Sequence, residues 1–184
     1  MGSPHLYFAD DRLSAAELAA ACLDGHLIAL GDAYIPADAV ETAALRAGSL
    51  LPLLGDSLAA SGMSAAWIHG AAPEPPVRHR VHRATSRRLH IVIDRRLDYH
   101  DTPIPERDLV RMGGVSVTSP LRTLIDLARA DTAAEAAAGR ALLDAGDTTI
   151  TEALSWLGEA GPLRGKRTAL ARVQAWAAQL EVTR

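Results

Sequence analysis

Arginine is concentrated between positions 78 and 96, where seven guanidinium groups face a single carboxylate, that of Asp94. The seven residues are Arg78, Arg80, Arg83, Arg87, Arg88, Arg95 and Arg96. Guanidinium groups bind phosphates, and this local excess of positive charge would attract a polyanion before any other part of the chain does. We therefore predict that this segment forms a nucleic-acid-binding surface. The alternative is a solvated outer face of a sheet that binds no ligand.

The spacing of these residues indicates how the charges would be arranged. Successive side chains of a strand point to opposite faces, so Arg78, Arg80 and His82 would share one face. Aromatic side chains are nearly absent from this stretch, which argues against stacking on single-stranded bases. The expected ligand is therefore held by its phosphates.

Other chemistry finds little support in the sequence. His79, His82 and His90 suggest a metal site, but no cysteine or carboxylate lies at ligand spacing, and the first two would point to opposite faces. The chain has no Gly-x-Ser-x-Gly motif, no phosphate-binding loop and no dinucleotide fingerprint. Lys166 lies far from any strand that could supply a nuclease-type acid and Glu-x-Lys pair. We expect no enzyme, no cofactor and no metal.

A second group of polar residues stands at the start of a well-marked helix. Ser119 can accept a bond from the amides of the first turn, and Pro120 suits the first helical position. Arg122 and Asp126 lie four residues apart, where they can pair with each other or with a neighbouring element. Arg122, Thr123 and Asp126 are therefore candidate site residues. They either lock this helix to the sheet, the interpretation we favour, or bind a partner or an anion at the helix start.

Two short segments stand before and after the arginines: Ser64-Ala65-Ala66-Trp67-Ile68-His69-Gly70, and the helix entrance from Thr118 to Leu127. In this order they resemble the AbiEi-type antitoxin family of bacterial type IV toxin–antitoxin systems. Members of that family carry Ser-Ala-x-x-Leu-His-Gly, then Arg-rich strands, then a hairpin leading into Val-Thr-x-x-x-Arg-Thr-x-x-Asp-Leu. The family-motif residues in this chain are Ser64, His69, Gly70, Thr118, Arg122, Thr123 and Asp126.

The resemblance implies a partner, a nucleotidyltransferase-like toxin encoded beside the antitoxin. It also implies repression at the shared promoter by an N-terminal winged helix, while the C-terminal domain relieves toxicity. The expected partners are therefore promoter DNA or other nucleic acid, and the cognate toxin. The alternatives are a protein-interaction module, with Trp67, Trp156 or Trp176 in an apolar contact surface, and an orphan domain whose toxin has been lost.

The composition is that of a soluble protein with a buried core, because 48% of the residues are apolar. No run approaches the roughly 20 apolar residues that span a bilayer, and no basic region precedes an apolar one at the N-terminus. We therefore expect a cytoplasmic protein that makes no membrane contact. The charge is uneven, with a net −7 over residues 1–77 and +4 over residues 78–184. The single cysteine, Cys22, is expected to fill the core.

The elements that position these residues begin with a helix and a hairpin. Ser14 and Glu17 form a capping-box pattern for a helix that ends near Gly25, and two short strands flank Gly31-Asp32. This order matches the second half of a winged helix-turn-helix, although Glu17 and Asp24 stand where basic side chains would contact DNA. Residues 1–37 are therefore predicted to be a partial winged-helix-like segment, which either reads DNA or packs as a degenerate wing.

Residues 38–184 are predicted to form one AbiEi-like α+β antitoxin domain, in which a small, mainly antiparallel sheet packs with C-terminal helices. One helix is predicted to begin at Asp38, another to cover residues 53–60, and a third to start at a Ser64 cap. Strands are predicted over residues 77–82, 89–93, 97–99, 109–112 and 115–118, the last two joined by Gly113-Gly114. The C-terminal helices are predicted over residues 119–129, 132–145, 149–157 and 163–180.

Overall fold

The computed structural model describes residues 5–87, 89 and 94–182 of the 184-residue chain. The described residues form helices, a two-stranded sheet and a five-stranded sheet, which confirms the α+β class. In chain order the elements are α1 Ala15–Leu23, β1 Leu27–Leu30, β2 Ala33–Pro36, α2 Ala43–Ser49, α3 Leu51–Leu54, β3 Leu58–Ala60, α4 Gly62–Ile68, β4 His79–Arg83, β5 Leu97–Pro103, a 3₁₀ turn Glu106–Asp108, β6 Leu109–Met112, β7 Val115–Thr118, α5 Pro120–Ala128, α6 Ala133–Ala145, α7 Ile150–Glu159 and α8 Lys166–Val182.

The N-terminal helix and hairpin form as predicted. The Ser14 hydroxyl accepts a bond from the Glu17 N–H and the Glu17 carboxylate accepts one from the Ser14 N–H, so α1 begins with a complete capping box. In the hairpin, Gly31 has φ +57° and approaches its neighbours so closely that a Cβ there would lie 2.4 Å from Ser49 Oγ. The same Cβ would lie 3.1 Å from the Trp67 ring. The hairpin thus packs directly on α2 and α4, while the division at residue 37 stays a prediction.

The five-stranded sheet has the order β5-β4-β3-β7-β6 and is mixed, not mainly antiparallel. β3 pairs antiparallel with β4 and β6 with β7, whereas β4–β5 and β3–β7 are parallel. Since β4 and β5 are parallel, the two strands begin at the same end of the sheet. Apart from residue 89, the strand predicted over residues 89–93 lies outside the described residues.

The prediction of a helix over residues 53–60 was wrong. α3 stops at Leu54 because Gly55 follows with φ +55°, and residues 58–60 form the central strand β3. All three strand residues are buried between β4 and β7. Alanine has low strand propensity, but small side chains fit where a strand is covered on both faces, and burial outweighs propensity here.

Two helix starts also differ from the prediction. α2 begins after Thr42, whose hydroxyl accepts a bond from the Leu45 N–H, and not at Asp38. α4 begins after Ser61, three residues before the predicted cap at Ser64. A serine is common both at a cap and inside a buried turn, so its position alone did not distinguish the two.

The predicted C-terminal helices are confirmed: α5 packs on β7, and α6, α7 and α8 pack on α5. Ser119 caps α5 by accepting a bond from the Arg122 N–H, with Pro120 at the first helical position. Gly113 and Gly114, at φ +53° and +87°, form the turn between β6 and β7. A Cβ on Gly113 would lie 2.2 Å from the Ala44 carbonyl oxygen, so this turn requires glycine.

The register gives the five-stranded sheet one apolar and one polar face. On the apolar face, Val81, Val117 and their neighbours are fully buried against a core that includes Trp67, Leu124 and Ile125. On the polar face, Arg80 and His82 of β4 stand beside Asp98 and His100 of β5. No helix in the described ranges is long and apolar enough to cross a membrane.

Candidate functional site

The first family motif ties α4 to β4. Ser64 lies inside α4 and is fully buried, and its Oγ accepts a bond of 3.1 Å from the Arg80 N–H. That leaves the serine proton for Nδ1 of His79, 3.2 Å away. Burial lowers the pKa of His79, which favours the neutral ring that this bond requires. Ser64 therefore connects α4 to β4 through hydrogen bonds with Arg80 and His79.

His69 and Thr123 meet at one carbonyl group, that of Thr118 at the end of β7. His69 Nε2 donates to the Thr118 carbonyl oxygen at 2.8 Å, and Thr123 Oγ1 donates to the same oxygen at 3.1 Å. The Thr118 hydroxyl lies 2.7 Å from Thr123 Oγ1, so it donates there in turn. Gly70 follows with φ +86° and ends the helical segment that bears His69. Residues from both motifs thus form one junction between α4, β7 and α5.

The histidine at this junction is held in its neutral form. Burial lowers the pKa of His69 and outweighs the hydrogen bond to the Thr118 carbonyl, which acts in the opposite direction. A neutral ring with its proton on Nε2 satisfies the carbonyl without introducing a buried charge. This histidine therefore has a structural environment and not that of an exposed acid–base group.

Arg122 is the centre of a nearly buried ion network. Its Nη1 donates to Asp108 Oδ2 at 2.8 Å, and its Nε lies 3.2 Å from both carboxylate oxygens of Asp126, which confirms the predicted pair. Arg129 Nη1 donates to Asp126 at 3.0 Å, so two arginines balance two aspartates. Only 11% of the Arg122 side chain is exposed, against 7% for Asp108 and 10% for Asp126. The network joins α5 to the 3₁₀ turn.

A cleft of about 620 Å³ adjoins this network. The Arg122 guanidinium lies 5.6 Å from the centre of the Trp156 ring at one side of the cleft. Among the residues that line it are Arg107, Asp108 and Leu163. The positive charge of Arg122 at this cleft is already paired with Asp108 and Asp126. Arg122 therefore holds α5 to the 3₁₀ turn.

Three of the arginines predicted to bind nucleic acid are paired with carboxylates of the same chain. Arg80 Nε lies 3.1 Å from Asp98, and its Nη1 lies 3.8 Å from Glu135. Arg96 lies 2.8 Å from Asp32 of the hairpin and 3.0 Å from Asp94.

The third paired arginine, Arg83, is buried. Its Nε lies 2.8 Å from Asp101 Oδ1, but the N–H does not point at that oxygen, so the contact is an ion pair without a hydrogen bond. Its other nitrogens donate to the Ser86 and Asp101 carbonyl oxygens, so all of its described contacts are with groups of the same chain.

The other three described arginines are exposed. Arg78 donates to the Leu97 carbonyl oxygen at 2.6 Å, and within the described ranges none of Arg78, Arg87 and Arg95 pairs with a carboxylate. Because β4 and β5 are parallel, Arg78 and Arg95 lie before two strands that start at the same end of the sheet. Arg87 follows β4 at the opposite end, and Arg88 lies outside the described residues. The predicted surface is therefore divided between two ends of the sheet.

The sequence analysis did not identify the residues of β5 that contact Arg80 and His82 on the polar face of the sheet. His82 and His100 stack with ring centres 5.1 Å apart, and His100 Nε2 lies 3.3 Å from Asp98. Burial lowers the pKa of His82. Asp98 and His100 stand two residues apart, and this alternation within residues 97–103 was the available signal. The predicted strand ended at residue 99, so the prediction did not place His100 beside Asp98 on one face.

The histidines suggested as metal ligands do not converge. His79 lies on the apolar face and His82 on the polar face, as their alternation predicted, and His90 lies outside the described residues. No group of three or more potential ligands is found in the part of the chain that the structure describes.

Two of the three tryptophans proposed for an apolar contact surface lie in the core. Trp67 and Trp176 are 1% and 3% exposed. Trp156 alone reaches the surface, beside Arg122. Of the three tryptophans, Trp156 is the one that can take part in the apolar contact surface considered from the sequence.

Comparison with known proteins places the motif residues in a family. Residues 58–149, half of the chain, match the family described as the AbiEi antitoxin C-terminal domain. The match begins at β3 and ends at the cap of α7, so it includes Ser64, His69, Thr118 and the Arg122 network. No curated protein matches the chain.

Proposed function

The chain belongs to the AbiEi antitoxin family, and from that membership we propose that it is a non-catalytic antitoxin that counteracts a nucleotidyltransferase-like toxin encoded beside it. The family match over residues 58–149 is the observation that carries this proposal. The geometry supports it, because the motif residues are occupied in holding elements together. His69 and Thr123 bind the Thr118 carbonyl, and Arg122 is enclosed by two carboxylates. An antitoxin built in this way acts through its surface.

Growth rescue tests this function directly. The neighbouring toxin is expressed from one inducible plasmid and the full chain from a second. We expect the chain to restore growth, while the empty second plasmid leaves the toxin fully active. Toxin protein is quantified in both cultures, so that loss of toxin expression is not mistaken for neutralisation. Persistent growth arrest at a high soluble level of the chain would rule the proposal out.

We further propose that the chain regulates its own operon by binding nucleic acid through Arg78 and Arg95, which lie at the same end of the five-stranded sheet. These exposed side chains have no carboxylate partner in the described ranges, so their charges are available to phosphates. α1 is a poorer candidate for reading the operator, because it carries no basic residue and presents Glu17 to solvent. Contact through phosphates gives affinity, and any sequence preference would come from other groups.

The salt dependence of promoter binding tests the role of the arginines. Log K falls as log salt concentration rises, and each phosphate contact adds about 0.9 to the steepness of that fall. The double variant Arg78→Gln with Arg95→Gln should therefore make the slope shallower by about 2. Fluorescence anisotropy at several salt concentrations measures it. Arg140→Gln, which removes an exposed arginine from α6, is the matched control and should leave the slope unchanged. Equal slopes for all three proteins would remove these arginines from the proposal.

A further inference from the structure

The connection between α7 and α8 carries positive charge that the protein does not neutralise. Residues 160–172 contain four basic side chains and no acidic one. Three of the four, Arg164, Lys166 and Arg167, lie within four positions, and we refer to them as the loop cluster. Arg164 and Arg167 are exposed, and in the described part of the chain no member of the cluster pairs with a carboxylate. The fourth basic residue, Arg172, is paired with Asp131.

Hydrogen bonds fix the backbone from which the loop cluster extends. Arg129 Nε donates to the Arg164 carbonyl oxygen at 2.7 Å, and Lys166 Nζ donates to the Ala160 carbonyl oxygen at 2.6 Å. Gly165 has φ +77° and passes close to Arg129, because a Cβ on this glycine would lie 3.5 Å from Arg129 Cβ. The loop cluster is therefore presented on a positioned backbone, which lowers the entropic cost of binding a ligand.

Arg129 also places the loop cluster beside the polar face of the five-stranded sheet. Its side chain lines a small cavity together with Arg80, His82 and His100 of that face. From His82 the chain leads back to Arg78 over four residues, which correspond to about 13 Å of extended strand. The polar face thus connects the loop cluster to the end of the sheet where β4 and β5 begin.

The composition of this surface indicates which ligand it can bind. Guanidinium groups without carboxylate partners bind phosphates, and several of them along one surface match a chain of phosphates. Residues 160–172 contain no aromatic side chain, so the bases of a single strand would have no stacking partner there. Asp98 and Asp126 on the polar face are already paired with arginines, which weakens their repulsion of a polyanion. A duplex contacted through its backbone fits these conditions.

We propose that the loop cluster is a second phosphate-binding surface for the promoter duplex, and that it contacts the duplex at the same time as Arg78 and Arg95. This inference rests on the proposed binding of nucleic acid by those two arginines. Phosphate contacts fix the position and orientation of a protein on a duplex, and two separated sets of contacts fix them better than one set does. The C-terminal helices then take part in operator binding through the start of α8.

The salt dependence of binding to a fluorescently labelled promoter duplex tests the loop cluster. The double variant Arg164→Gln with Arg167→Gln removes two phosphate contacts and should make the slope of log K against log salt concentration shallower by about 2. The matched control, Arg12→Gln with Arg140→Gln, removes the same charge from two other exposed arginines and should keep the wild-type slope. Circular dichroism and thermal unfolding of both proteins verify that the fold is intact.

Combining the two sets of substitutions tests whether both surfaces contact one duplex. The fourfold variant, which adds Arg78→Gln and Arg95→Gln, should make the slope shallower by about 4. A loss of only about 2 would show that the two surfaces do not act together and would overturn the proposal.

The remaining outcomes separate this inference from the proposed function. A wild-type slope for Arg164→Gln with Arg167→Gln would remove the loop cluster, while a shallower slope for Arg78→Gln with Arg95→Gln would leave the binding by the sheet arginines standing. A wild-type chain that does not bind the promoter duplex would remove both. Tighter binding of one promoter strand alone than of the duplex would contradict the duplex as the ligand.

Discussion

Replacing Arg122 with alanine is expected to lower the free energy of unfolding by about 3–5 kcal/mol, because it leaves a buried carboxylate without its partner. Asp126 keeps Arg129, but Asp108 is 7% exposed and retains only the long contact of 4.0 Å to Arg107. Urea unfolding followed by tryptophan fluorescence measures the loss. The loss would also appear as a lower midpoint with an unchanged slope, since the fold itself is preserved.

An exposed ion pair supplies the control for this prediction. Arg111 pairs with Asp56, but their side chains are 60% and 80% exposed, so Arg111→Ala should cost less than about 1 kcal/mol. The double substitution Arg122→Met with Asp108→Leu removes both charges and should recover most of the stability lost by Arg122→Ala. If Arg122→Ala is no more harmful than Arg111→Ala, the network does not clamp α5 to the 3₁₀ turn.

Acidification from pH 7 to pH 5 is the second change with a large expected effect. Burial lowers the pKa of His69, His79 and His82, whereas the unfolded chain takes up protons near the ordinary histidine value of about 6.5. The unfolded state then binds more protons than the folded state, so stability is retained above about pH 6.5 and falls as the pH drops below it. Each histidine contributes at most about 1.4 kcal/mol per pH unit in that window.

The His69→Gln variant separates this effect from general acid denaturation. Glutamine keeps an N–H donor for the Thr118 carbonyl but does not titrate, so the variant should lose less stability than the wild type between pH 7 and pH 5. Unfolding curves at half-unit steps of pH measure the difference. Parallel stability curves for the two proteins would contradict a neutral, buried His69. The carboxylates of Glu17 and Glu152, whose pKa values are lowered by hydrogen bonds, act at lower pH.

Local contacts were predictable from the sequence, and distant ones were not. The Ser14 capping box, the Ser119 cap, the Gly113-Gly114 turn and the pair Arg122–Asp126 each depend on residues at most four positions apart. Asp108 lies fourteen positions from Arg122, and no pattern in the sequence linked the two. The predicted pair was therefore correct, although the contact with Asp108 of a second element, the 3₁₀ turn, was missed.

The central strand and the arginine surface also depend on contacts between residues that are distant in the sequence. β3 is built from Leu58, Ala59 and Ala60, whose local preference is helical, and only its burial between two strands makes it extended. The alternation along β4 correctly placed Arg80 and His82 on one face. It contained no information on Asp98 or Asp32, the distant carboxylates that neutralise Arg80 and Arg96.

Arg96 connects the N-terminal hairpin to the residues that precede β5. Its guanidinium is divided between Asp94, its neighbour in sequence, and Asp32, the tip of the N-terminal hairpin. Any anion that draws Arg96 from Asp32 weakens the anchoring of the hairpin, and any ligand that stiffens the hairpin must change the affinity for that anion by the same factor. The position of the hairpin and the affinity of Arg96 for an anion are thus linked through one side chain.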